Sequence, residues 1–334
     1  MKIHQRFNRQ IVPFVSLITV LIVVFIWSLN TGKMSVSPFD LLAVFTGQGT
    51  PQQNLIVFDF RMPKIVLSVF VGAGMGIAGC IMQSLLKNDM ASPGTLGISS
   101  GSGLFMILFL FTGLMRDTPA MLPIVAFVGG VVAAGLIFLL ASKRKQELSP
   151  TRLILTGVAL GTGYDAVTLF LSLRMDTQQH EFVQRWLAGS LWGADWLHLS
   201  ILIPVVLFLA GGVYFHAPKL NIIHLGNETA LGLGVPLKLA FIGFSLAAIL
   251  LSSASVAIGG NFFFVGMISP HIAKKLVGVD HKRSLPASAL VGSIMILLAD
   301  TLIRSSALDV TIPAGLLITI VSTPYFIYLM AKSR

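Results

Sequence analysis

Few residues in this sequence are of a kind that does chemistry, and they stand far apart. Asp165 and Asp300 fall in or near long apolar runs. A carboxylate there is either a proton relay or the structural partner of a cation. Asp300 stands four residues before Arg304, so on a helix the two share a face, which favours pairing. For Asp165 both readings stay open. His271 follows Pro270 in a short apolar stretch, with no second His or carboxylate at metal-ligand spacing. Cys80 is the only cysteine, so an intrachain disulfide and a multi-cysteine metal site are both excluded. No nucleophile–base constellation of the hydrolase type is present, which argues against an enzyme. Gly74-Met-Gly76-Ile-Ala-Gly79 spells GxGxxG, but within an apolar helical pattern and with no preceding strand. Small residues at Gly72, Ala73, Gly76 and Cys80 suit close helix packing instead. The phosphate-binding pattern GxxxxGK[ST] is absent, so any ATP-driven step needs a separate ATPase chain.

The elements that must position these residues follow from composition. The chain has 334 residues, of which 55% are hydrophobic and 11% charged. Soluble domains carry about 25% charge. No soluble fold of this length could hide so much apolar surface, and the class is an all-α polytopic membrane protein. The net charge of +10 points to loops on the cytoplasmic face and to anionic membrane lipid. The basic residues lack the aromatic interleaving of a nucleic-acid surface, so no nucleic-acid partner is expected.

Apolar stretches of spanning length predict ten helices near 11–29, 63–86, 92–113, 120–141, 151–174, 196–217, 236–256, 262–277, 285–304 and 312–331. Ile11–Leu29 is too long for a signal-peptide core, and no small-x-small cleavage site follows it, so it is read as a retained first helix. With the N-terminus inside, most of the 23 Lys and Arg fall in inner loops and tails, and both termini are cytoplasmic. The short eighth helix is needed for this, because it delivers Lys274, Lys275, Lys282 and Arg283 to the inner face. The whole chain, 1–334, reads as one transmembrane domain. Its longest polar connections are 30–62 and 175–195 outside and 218–235 inside.

The inner connection Leu220–Val235 is the most informative. Gly226 and Gly234 bracket a short helix capped by Asn227, with Glu228 in its first turn. Ala230, Leu231 and Leu233 form an apolar stripe on it. A plain connector rarely needs a capped, striped helix, whereas a partner protein can grip one. On the outer side, Arg61, Lys64 and Arg304 stand at helix ends. They read either as snorkelling charges or as a dock for acidic groups.

Four blocks, in order, are similar to one family. They are Phe60-Arg61-Met62-Pro63-Lys64 followed by 72–103, Trp186-Leu-Ala-Gly-Ser190, the 220–234 loop, and FVGMISPHIAKKLVGVDHKRSLP (264–286) with Asp300, Arg304 and Ile312-Pro-Ala-Gly315. Together they resemble the permease subunit of type II ABC importers for iron–siderophore complexes, haem and vitamin B12, the BtuC/FecCD-like family, over about residues 12–331. The resemblance implies a BtuC-like fold of ten helices in a bacterial cytoplasmic membrane. It implies a second permease subunit, identical or paralogous, two cytoplasmic ABC ATPases and an extracytoplasmic substrate-binding protein. No cofactor would be bound by this chain, with ATP held on the partner subunit. The coupling loop 220–234 would seat on the ATPase through Leu225, Gly226, Asn227, Glu228, Ala230, Leu231, Gly232 and Leu233. Arg61, Lys64 and Arg304 would dock the binding protein, and the helices near 151–174 and 312–331 would line the path. Lys64 stands where the family carries a second Arg, which removes bidentate geometry. An iron–siderophore cargo is the leading expectation, with haem or vitamin B12 as alternatives. A proton-coupled secondary transporter using Asp165 is the rival outside the family.

Overall fold

The structure, a computed structural model, describes residues 2–32, 34, 36–113, 119–142, 149–191, 193–305 and 312–332. Among the described residues the regular structure is helical throughout. The spanning-length helices fall where the apolar runs predict them. They are α1 (Lys2–Asn30), α4 (Met62–Leu86), α6 (Leu122–Ala141), α7 (Pro150–Ser172), α9 (Trp196–Phe215), α12 (Leu237–Gly259), α14 (His281–Ser305) and α15 (Ala314–Lys332). These eight are long and apolar enough to cross a membrane, α4 together with the turns that lead into it. α5 (Ile98–Phe111) and α13 (Phe263–Val277) are apolar but shorter.

Three differences from the expected elements have local causes. The helix expected over 92–113 begins only at Ile98. Ser92 and Thr95 hydrogen-bond each other's backbone, a short 3-10 turn covers Gly94–Leu96, and Gly97 adopts φ 68°. That left-handed conformation suits glycine and interrupts the helix. In contrast, α14 starts a turn earlier than 285. The Asp280 carbonyl accepts the Ser284 N–H at 2.8 Å, and its carboxylate accepts the Lys282 N–H at 3.2 Å, so Asp280 caps the helix. The polar connections also hold helices of their own. Those expected outside contain α2 (Pro38–Phe45), α3 (Pro51–Asn54) and α8 (Thr177–Leu187), and the one expected inside contains α10 (Ala217–Leu225) and α11 (Asn227–Gly232). α2 and α3 carry complete capping boxes, Ser37 with Asp40 and Thr50 with Gln53. α3 runs into a π-helical segment, Leu55–Arg61, and on into α4.

α4 is the axis of the molecule. It packs along α14 over much of its length and also against α12 and α13, while α1 packs mainly against α14. Glycines make this possible. A Cβ on Gly72 would overlap the Gly292 carbonyl, one on Gly76 the Ser288 carbonyl, and one on Gly79 the Gly266 carbonyl. The GxGxxG of α4 is thus a packing surface, with backbones meeting where side chains would separate them. The expected inner-loop residues Lys143, Arg144 and Lys145 lie outside the described residues.

Candidate functional site

The two ends of the α4–α14 pair carry the charged residues. At one end the π-helical segment turns Arg61 inward. The residue is 6% exposed, and its guanidinium donates to the carbonyls of Leu29 and Met34. The expectation of three outward-facing cations is therefore revised at Arg61, whose charge is satisfied by backbone oxygens. Lys64 and Arg304 converge on Asp300, with Lys64 Nζ 2.8 Å from Oδ1 and Arg304 Nε 2.8 Å from Oδ2. Arg304 also donates to the carbonyls of Ser28 and Thr31 at 3.3 and 3.2 Å and to the Ser28 hydroxyl. Asp300 is thus the structural partner that its spacing from Arg304 suggests. The Lys64 contact, made from a distant helix, has no local sequence signal. A cleft lined by Thr31, Ser37, Asp40 and Arg304 opens beside this cluster.

At the opposite end, the last turn of α4 is the junction of four elements. Gln83 donates to the Asp89 carbonyl at 2.7 Å and to the Met267 carbonyl of α13 at 2.9 Å. Lys274 of α13 donates to Gln83 Oε1 at 3.0 Å and to Asp89 Oδ1 at 2.8 Å. Partial burial pushes the Asp89 carboxyl up, but the Lys274 hydrogen bond and charge outweigh it and hold it below its ordinary range. Ser84 bonds His281 at the start of α14. Lys87, at the left-handed C-cap of α4, donates to Asn227 Oδ1 at 3.1 Å.

α10 and α11 sit on this junction. Pro218 at the first turn of α10 sets its φ without losing a needed N–H. The cap of α11 differs from the expected one. Gly226, at φ 131°, is the N-cap, and Asn227 is the first helical residue, its side-chain oxygen turned to Lys87. Glu228 lies in the first turn as expected and is exposed. The expected apolar stripe also divides. Ala230 is buried, while Leu225, Leu231 and Leu233 are 69%, 57% and 61% exposed. One small residue thus anchors the helix and three leucines face outward, with Gly232 exposed between two of them. Solvent alone offers no reason for such a face, which suits a docking surface.

Two residues singled out from sequence stand apart from both ends. Asp165 is exposed on α7, among the exposed Val158, Thr162 and Leu169. His271 of α13 stacks edge-on against Tyr325 of α15, with ring centres 5.9 Å apart.

The chain is similar to known transport proteins over almost its full length. The model of the FecCD transport family matches residues 20–332. The iron(3+)-hydroxamate import system permease protein FhuG of Bacillus subtilis (strain 168) is 40% identical, over 98% of this chain and 98% of its own. The Fe(3+) dicitrate transport system permease protein FecD of Escherichia coli (strain K12) is 34% identical, over 90% of this chain and 93% of its own. A solved structure described as an inward-facing conformation of a metal-chelate type ABC transporter superposes with a TM-score of 0.81. It is 28% identical and covers 96% of this chain and 99% of that one. With a family match from end to end and an all-helical body of membrane-spanning length, the chain is a multi-pass membrane protein and belongs to the FecCD transport family.

Proposed function

We propose that this chain is the permease subunit of an ABC importer that carries an iron–siderophore complex inward, with ferric hydroxamates as the first candidates. The observation that carries this reading is its end-to-end likeness to permeases named for ferric hydroxamate and ferric citrate import. The whole chain acts as one transmembrane domain, with α5 and α13 completing ten crossings and both termini on the cytoplasmic side. It supplies half of the path, and a second permease, a paralogue or an identical copy, supplies the other half. α7 and α15, with long exposed apolar faces, meet that second chain.

The complex holds two copies of a cytoplasmic ATPase, one of which binds at α10–α11 of this chain. Leu225, Leu231 and Leu233 insert into it, Gly226 sets the angle between the helices, and Ala230 seats α11 on the body of the permease. At the other face the acidic lobes of an extracytoplasmic binding protein meet Lys64 and Arg304, and Arg61 shapes the ledge beneath them. ATP binding to the partner subunits favours one of two permease states, and this differential drives alternating access.

The test is reconstitution in liposomes with the ATPase, the second permease and the binding protein. Uptake of a radioactive ferric hydroxamate is expected to need all of them. Leu231→Ala and Leu233→Ala are expected to assemble normally but to uncouple hydrolysis from uptake. Uptake that proceeds without the ATPase, and collapses with the proton gradient, would replace this reading by a proton-coupled carrier using Asp165.

A further inference from the structure

In the polar junction beneath α10, Asp280 fixes the donors and acceptors as far as the His281 ring. Asp280 offers only acceptors when ionised, so the Asn221 group 2.8 Å from it must be the amide nitrogen. This orients the Asn221 oxygen toward His281, where it lies 2.8 Å from the backbone nitrogen and 2.6 Å from Nδ1. An amide oxygen only accepts, so His281 carries a proton on Nδ1. Nε2 of the neutral ring is then an acceptor facing the Ser84 hydroxyl, which also lies 2.9 Å from the Cys80 carbonyl and can donate to either. The chain of contacts therefore runs from α10 (Asn221) through the cap of α14 (Asp280, His281) to α4 (Ser84). His281 is 1% exposed and Ser84 fully buried. Breaking either link to the His281 ring leaves a buried ring nitrogen without a partner, which costs more than a slipped apolar contact, whereas the Asp280 side chain is 41% exposed.

We propose that Asn221 is the positioning residue that transmits motion of the α10–α11 pair to the α4–α13–α14 body. The inference rests on α10–α11 being the face that meets the ATPase. A displacement of α10 pulls the first turn of α14 through Asn221. It pulls the last turn of α4 through His281 and Ser84. Gln83, in that same turn, carries the pull to the Met267 carbonyl and Lys274 of α13. The glycine contacts along α4 bind these three helices together, so one input moves them as a unit. The exposed Lys87–Asn227 contact is a weaker second tether, as solvated contacts contribute little.

The test uses the complete complex in liposomes, with ferric hydroxamate uptake and ATP hydrolysis measured on the same amount of assembled transporter. Asn221→Asp sets a second carboxylate against Asp280 and is expected to lower uptake per ATP about tenfold, the worth of one charge-assisted hydrogen bond. The double variant Asn221→Asp with Asp280→Asn rebuilds the bond with reversed polarity and is expected to recover most of that ratio. Ser84→Ala removes only the last link and is expected to lower the ratio by roughly threefold. It decides the matter alone if Asn221→Asp does not assemble. The proposal is overturned if uptake and hydrolysis fall in parallel in Asn221→Asp, if the double variant recovers nothing, or if Ser84→Ala leaves the ratio at wild type. Leu231→Ala separates the two levels. If it keeps full uptake per ATP, the ATPase-facing role of α11 fails, whereas normal behaviour of the Asn221 and Ser84 variants alone rejects only the transmission.

Discussion

The α4–α14 pair and the α7 helix have similar lengths and opposite fates. In the most apolar stretch of α4 and its lead-in, 78% of residues are buried within the chain, against 22% in α7. α4 reaches this with glycines at contact positions, Gly72, Gly76 and Gly79, each facing a backbone carbonyl of a neighbour. α7 has contact glycines too, Gly157 and Gly161 against the turn at Leu96 and Gly97, but Gly163 faces open space, beside an exposed Thr162 and near an exposed Asp165. The same residue type is therefore a finished contact at Gly79 and an unfilled one at Gly163. α4, α13 and α14 form a closely packed body within the subunit. α7 and α15 keep a face for something outside the chain, and a carboxylate on that face is costly against lipid, so protein or water must cover it.

The comparison is broken most severely by exchanging bulk between the two regions. Gly79→Leu forces a side chain into the Gly266 carbonyl and is expected to abolish a monodisperse folded protein in detergent chromatography, overpacking of this kind costing several kcal/mol, about 3 or more. Gly163→Leu is expected to yield folded permease at wild-type levels while weakening its pairing with the second permease, read by co-purification. If Gly163→Leu were as damaging to folding as Gly79→Leu, the distinction between the two regions would be lost.

The next effect is at the Asp300 end of this packed body. Arg304→Ala leaves the Asp300 carboxylate, 6% exposed, with only Lys64 and frees two carbonyl contacts to the end of α1. A loss of about 3 kcal/mol is expected in denaturant unfolding of the solubilised protein. Lys64→Ala removes a partner that is 31% exposed and is expected to cost about 1 kcal/mol, since solvent screens that side.

The smallest effect concerns pH. The folded Asp89 carboxyl lies below its ordinary value of 3.8, because Lys274 outweighs the burial that raises it. Its contribution to stability is therefore complete above 3.8 and is lost as pH falls through the lower folded value. Acid titration of unfolding is expected to show a small stability loss below pH 3.8 that is absent in Asp89→Asn.

Much of this architecture is legible in the sequence, because apolar runs of spanning length need no tertiary information to be recognised. The α4, α6, α7, α9, α12 and α15 boundaries follow from them to within about three residues, whereas α1 ends as expected but begins at Lys2, well before Ile11. The misplaced features are those settled by contacts between distant segments or by a single φ angle. Asn227 satisfies every local rule for an N-cap, yet Lys87 claims its side chain and Gly226 takes the cap. Asp280 reads as a loop residue because Pro286 suggests a later start, but its carbonyl and carboxylate begin α14 early. The Asp300–Arg304 pair was accessible from its spacing alone, whereas Lys64, Ser28 and Thr31 join it only through the fold. Asn221 lies in the 220–234 block that carries the family resemblance, but nothing in its local sequence assigns it a role. Its importance arises from Asp280 and His281, which the chain brings to it from α14.

The most direct measurement is ferric hydroxamate uptake into liposomes holding the complete transporter, with and without the ATPase and with the outward leucines of α11 altered. The account predicts ATP-dependent uptake that vanishes without the ATPase and falls sharply in Leu231→Ala and Leu233→Ala while the subunits stay assembled. Undiminished uptake in the absence of the ATPase would contradict it.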